Sequence, residues 1–157
     1  MIDALETVLR LGAATLAGGV LGIDRELRSK PAGMRTHALV SLGSALAIVA
    51  TMEFLDGPNI DHASITRTIQ GIVAGVGFLG GGAILHAKDR EGVTGLTTAA
   101  SIWVVAALGI ACGGGFWVLA VVSVLLAILV LVIGTYVEAF VHHHFVARKD
   151  GPKLPDE

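Results

Sequence analysis

At 157 residues the chain has the length of one domain, yet 54% of it is hydrophobic, only 15% is charged and its mean hydropathy is +0.76. That balance excludes an ordinary soluble domain and predicts an integral membrane protein. A net charge of −2 supplies no global basic field for nucleic acid, and the single Cys112 can form neither a disulfide within the chain nor, with this His spacing, a zinc site.

Crossing about 30 Å of hydrocarbon takes roughly 20 apolar residues in a helix. Five stretches approach that length, near 4–23, 36–55, 69–87, 97–113 and 116–140, so the expected fold is an all-α polytopic bundle of about five transmembrane helices. The first opens "MIDALETVLRLG", with Asp3 and Glu6 ahead of Arg10. It lacks the basic start and small-residue cleavage site of a signal peptide and reads as a retained helix. Glu6 and Arg10, four apart, are expected to pair on it or reach the headgroups.

"DRELRSKPAG" separates spans one and two, "DGPNIDHASITR" two and three, "KDREGVTG" three and four, and "CGGG" at 112–115 four and five. The tail 142–157 is too short and polar to bury a core, and no long-period repeat is present.

The third span contains "GVGFLGGG", in which Gly75, Gly77 and Gly80 have the G-x-G-x-x-G spacing of a dinucleotide site. That motif works only where a strand leads into it and a solvent-facing helix start follows, and an apolar span offers neither. Gly71/Gly75 and Gly77/Gly81, like Gly18/Gly22 and Gly109/Gly113, instead form G-x-x-x-G pairs expected to be helix-packing surfaces. Their number also predicts self-association into a homo-oligomer such as a dimer. Each glycine of Gly80-Gly81-Gly82 costs about 1 kcal/mol of helix stability relative to alanine. A local break is the alternative there, of the kind in which transporters place ion sites.

Lys and Arg distribution predicts orientation. With five spans, nine basic residues share one side: Arg25, Arg28, Lys30, Arg35, Lys88, Arg90, Arg148, Lys149 and Lys153, against Arg67 alone in the opposite loops. The N-terminus is then outside and the C-terminus cytoplasmic. Trp117 at one end of span five, with Tyr136 and Phe140 near the other, fits aromatic belts at both interfaces.

This topology gathers "GIDRE", "AGMRTH", "FLGGGAIL" and "GLTTAAS" at the cytoplasmic face. Asp24, Arg25 and Glu26 lie at the membrane boundary, where ionisable groups need partners, with Arg35 across a short loop. They either pair internally or bind a ligand or partner. Asp24 and Glu26 are numerically sufficient for Mg²⁺, but residues 24 to 35 hold two acids against four bases, a balance of +2. An anionic lipid headgroup or acidic partner suits that balance better, and no cofactor is otherwise called for.

Thr97 and Thr98 can cap span four, and Ser41, Ser44 and Ser101 can bond across helices. Asp56, Asp61, His62 and Arg67 read as solvated, and Glu138 as interfacial. His142-His143-His144 reads as an interfacial basic patch, since helical neighbours point in different directions. No nucleophile sits with a matching base, and neither H-E-x-x-H nor a phosphate loop with its lysine occurs, so no enzyme is expected.

Taken together, "GIDRELRSKPAGMRTHALVSLGSALAIVAT", "GVGFLGGGAIL" and "GLTTAASIWVVAALGIACGGG" strongly resemble the MgtC/SapB family of bacterial inner-membrane proteins, over about residues 8 to 130. The resemblance implies a multi-pass inner-membrane protein associated with adaptation to low magnesium and, in some pathogens, with survival inside macrophages. Its members look like regulators, acting on the F-type ATP synthase, rather than magnesium pumps. The family's acidic-Arg-Glu signature falls on Asp24, Arg25 and Glu26, and its G-x-R-T signature on Gly33, Arg35 and Thr36. Gly80 to Gly82 and Thr97 to Thr98 match its glycine and threonine motifs. Longer members add a cytosolic domain after the spans, and the resemblance here is expected to be to a short form without it. The leading expectation is a non-enzymatic regulator binding a membrane-protein partner. The alternatives are a transporter or channel for Mg²⁺ or another ion, and an anionic-lipid-binding structural protein.

Overall fold

The computed structural model describes residues 2–54, 62–85 and 94–141, apart from the side chains of Leu85, Glu138, Ala139 and Val141. They form five helices: α1 (Ala4–Leu27), α2 (Met34–Phe54), α3 (His62–Leu85), α4 (Leu96–Gly113) and α5 (Trp117–Val141). No strand occurs among the described residues, so the all-α expectation holds. Asp56, Asp61, Lys88, Arg90, the side chain of Glu138 and the run His142 to His144 lie outside the described residues.

α1, α2, α4 and α5 are each long and apolar enough to cross a membrane. α3 has 24 residues, about 36 Å at the α-helical rise. Its apolar run from 69 to 85 is interspersed with six glycines and Gln70. It also begins at His62, seven residues before the apolar stretch expected at 69. Hydropathy marks the hydrocarbon, whereas the helix runs on through "HASITR", where Thr66 and Thr68 return their hydroxyls to the carbonyls of His62 and Ser64.

α3 continues unbroken through Gly80-Gly81-Gly82. Opening a helix in an apolar setting strands backbone donors and acceptors without water, a larger cost than three glycine propensities. No unwound ion site is formed there.

Two helix ends are closed alike. At the end of α1, Lys30 N–H donates to Arg25 O and Ser29 N–H to Glu26 O, with Ser29 left-handed at φ 52°. At the end of α4, Phe116 N–H donates to Ala111 O and Gly115 N–H to Cys112 O, with Gly115 at φ 75°. Both are Schellman motifs, and only the second has the glycine that the left-handed position favours. Arg10 completes the second: its Nη1 donates to Gly113 O at 2.7 Å while Glu6 pairs with the same guanidinium.

α1, α2 and α4 form the core, and they meet backbone to backbone. A Cβ on Gly18 would stand 2.5 Å from His37 O, and one on Gly22 2.5 Å from Met34 Cα. On α4, a Cβ on Gly109 would run into Ser41 O, and one on Gly113 would lie 2.7 Å from Ala45 O. Lipid tails are as apolar as leucine, so close approach of this kind, rather than escape from water, holds membrane helices together. Ala14, Ala45 and Ala111 are buried together in this core, while Ala106 packs against Val76 of α3. α5 joins through one stripe, Val124, Ala127, Ile128 and Leu131, against Leu21, Val105 and Leu108.

Candidate functional site

The sequence places a buried polar cluster where α1 ends and α2 and α4 begin. Arg25 sits on the last turn of α1 at 4% exposure, and its Nη2 donates to Thr98 Oγ1 at 2.6 Å. Thr98 is itself buried in the first turn of α4, so a charged side chain ties the two helix ends together.

Beside it lies His37, completely buried on α2. Its Nδ1 is 2.9 Å from Gly33 O and its Nε2 3.0 Å from Ser101 Oγ. A carbonyl only accepts, so Nδ1 carries a proton. Ser101 Oγ is also 2.8 Å from Thr98 O. With a neutral ring, the single hydroxyl proton of Ser101 therefore alternates between His37 Nε2 and Thr98 O. Arg25, Thr98, Ser101 and His37 thus form one network across three helices, and one turn along α2 Ser41 Oγ is buried without a partner among the described residues.

The residues expected to meet divide into separate groups. Asp24 pairs with Arg28 at 2.8 Å through Oδ1, while its Oδ2 is buried without a partner among the described residues. Glu26 Oε2 accepts Met34 N–H at 2.9 Å and so caps the start of α2 from another helix. It lies where a Cβ on Gly33 would stand, at 2.7 Å. The side chains of Arg35 and Thr36 are exposed and make no hydrogen bond among the described residues. A Cβ on Gly80 would rest on Ala99 at 3.5 Å, whereas one on Gly81 or Gly82 meets nothing within 4 Å among the described residues.

Thr97 is exposed and Thr98 is bonded to Arg25, so neither caps α4. Gly95, at φ 89°, takes the cap position and brings no side-chain bond. Its own constraint is contact, since a Cβ there would stand 2.5 Å from Ala83 O. Of the three serines, Ser101 alone bonds across helices; Ser44 returns to Val40 O in its own helix.

The packing expectation also divides. Gly18 and Gly22 are pressed against α2, while Gly71, Gly75 and Gly77 meet nothing within 4 Å and do not pack within the described chain. α3 therefore presents an open face in which Gly71, Gly75 and Gly82 alternate with Phe78, itself 84% exposed.

No group of three or more His, Cys, Asp or Glu converges among the described residues. Asp24 and Glu26 are engaged by different partners and leave α1 in different directions, so they do not frame a common cation site. His37 escaped the sequence reading. Its signal was an ionisable residue in the first turn of an otherwise apolar span.

The MgtC family profile matches residues 11–140, which carry every residue of this cluster. The chain belongs to the MgtC family. Among its relatives, Protein SrpB of Synechococcus elongatus is 42% identical over 137 residues, covering 82% of this chain and 75% of that protein. Putative magnesium transporter YhiD of Escherichia coli is 42% identical over 129 residues, 80% of this chain and 59% of YhiD. Protein MgtC of Brucella abortus is 41% identical over 109 residues, 69% of this chain and 43% of that protein. This MgtC family chain thus spans less than two thirds of the latter two relatives. No solved structure matches. MgtC membership and the four apolar helices make it a multi-pass membrane protein.

Proposed function

We propose that this MgtC family member is a non-enzymatic regulator of a bacterial inner membrane, with its N-terminus outside and its C-terminus cytoplasmic. It acts in adaptation to low magnesium by docking a membrane-protein partner. The observation that carries this reading is the open face of α3, where Gly71, Gly75 and Gly82 meet nothing within 4 Å among the described residues, beside the exposed Phe78. Glycines leave a groove into which another helix backbone can settle, and Phe78 offers an anchor beside it. The inner polar network, by contrast, is closed by packing and suits a rigid frame.

The family resemblance makes the F-type ATP synthase the first partner to seek, with a second copy of the chain as the next. Affinity pulldown from native membranes should recover a reproducible partner that Gly75→Leu removes and Arg35→Ala weakens. Recovery of nothing beyond control membranes would refute the reading.

A second reading, Mg²⁺ transport, is favoured by the buried, unpartnered Oδ2 of Asp24 and by the name of the YhiD relative. It requires protein-dependent Mg²⁺ flux in proteoliposomes that Asp24→Asn diminishes; flux equal to that of empty vesicles sinks it.

A further inference from the structure

His37 is completely buried in the first turn of α2, directly after the exposed Arg35 and Thr36. Imidazole can change charge in the physiological range, and the hydrogen bonds around this ring accept either state. When the ring is neutral, Nε2 competes with Thr98 O for the single proton of Ser101. When it is charged, Nε2–H donates to Ser101 Oγ and the hydroxyl turns wholly to Thr98 O, while Nδ1–H stays on Gly33 O. Hydrogen bonding therefore does not resist the added proton, and electrostatics decides.

The charges around the ring are unequally screened. On α1, Arg25 is 4% exposed and joins the same network through Thr98. Asp24 is taken by Arg28. Glu26 is exposed and accepts Met34 N–H, and a carboxylate facing water is a weak counter-ion. Arg35 on α2 itself is exposed and positive. α3 from Thr68 onward carries no ionisable residue among those described, α4 carries only Cys112 at its far end, and α5 does not pack against α2. A proton on His37 thus puts a second positive charge into a buried network whose guanidinium has no carboxylate partner among the described residues. Burying two like charges in an apolar setting costs more than the one hydrogen bond that the proton fixes.

The strain falls on the first turn of α4, which Arg25 holds through Thr98 and His37 through Ser101. That turn has no side-chain cap of its own. The end of α3 rests on it, since a Cβ on Gly80 would lie 3.5 Å from Ala99 and one on Gly95 2.5 Å from Ala83 O.

We propose that His37 is a pH switch. Neutral, it locks the starts of α2 and α4 together; on taking up a proton it releases the first turn of α4 and, with it, the end of α3. The closed arrangement is held while the ring is neutral and is lost as pH falls and the ring charges. The switch belongs to the chain itself and operates whether or not a partner docks on α3.

Hydrogen exchange of the full chain in lipid nanodiscs tests this, with wild type and His37→Gln compared at the same pH so that the intrinsic rate cancels. From about pH 8 to about pH 5, the interval in which histidine changes charge, the ratio of wild-type to variant exchange should rise at residues 96–101 and 80–83. The rise should be about tenfold, the change in an opening equilibrium for each pH unit over which only the open form has taken up the proton. At Gly114 to Trp117, the opposite end of α4, the ratio should stay constant. A constant ratio at residues 96–101 overturns the proposal, as does an equal rise at Gly114 to Trp117, which would mark acid unfolding of the whole bundle. Arg25→Gln removes the opposing charge, so the ratio of wild type to Arg25→Gln should rise over the same interval. A constant ratio there also overturns the proposal, and this comparison decides alone if His37→Gln does not fold.

Discussion

Arg25 on the last turn of α1 donates to Thr98 Oγ1 on the first turn of α4 at 2.6 Å, with both side chains buried. Two helices far apart in sequence are thereby held at a common level by a charged donor and a neutral acceptor. Thr98→Val keeps the shape and deletes the acceptor. It should lower stability by about 1–2 kcal/mol, the range for such a bond between membrane helices. Thr98→Ser, which keeps the hydroxyl, should lose less than half of that. Unfolding titrations in mixed detergent compare the two directly.

The glycines should separate into two classes on substitution. Gly18→Ala and Gly109→Ala push a methyl into the backbone of α2 and should cost about 1–3 kcal/mol, as overpacked cores do. Gly71→Ala and Gly81→Ala meet open space and should leave thermal stability unchanged or slightly raised. Melting curves of the four purified variants test the division.

Much of this arrangement was legible in the sequence, and the limits have physical causes. Apolar length located the helices, because the bilayer thickness fixes it. It could not show that α3 starts at His62, since helix continues beyond hydrocarbon wherever the backbone stays bonded. The G-x-x-x-G spacing marks a surface capable of close approach but not what approaches it. Gly18 and Gly22 face α2, while Gly71 and Gly75 face outward, and only tertiary structure distinguishes the two. Charge placement drew attention to Asp24, Arg25 and Glu26, yet neighbours on a helix diverge, so each found a different partner. His37 was missed because its partners, Gly33 O and Ser101, are defined by backbone and by a distant helix.

Ser29 occupies the left-handed position that closes α1. Glycine avoids the steric penalty an L-residue pays there, so Ser29→Gly should raise stability by about 1 kcal/mol. Chemical or thermal unfolding of the variant reports the gain, and an unchanged midpoint would show that the turn is not under strain.

Arg10 ties the opposite end together by donating to Gly113 O, and a Cβ on Gly115 would stand 2.9 Å from its Nη2. Arg10→Met should loosen the turn between α4 and α5, and Gly115→Ala should do the same with the arginine intact. Hydrogen exchange at Gly114 to Trp117 should accelerate in both variants.

The central claim, that the chain works by docking a protein partner on the open face of α3, is tested most directly by site-specific photo-crosslinking in native membranes. A photoreactive residue at Phe78 should capture one reproducible membrane protein, while the same residue at exposed Leu39 on α2 should not. Capture of lipid alone at Phe78, or the same proteins at both positions, would contradict it.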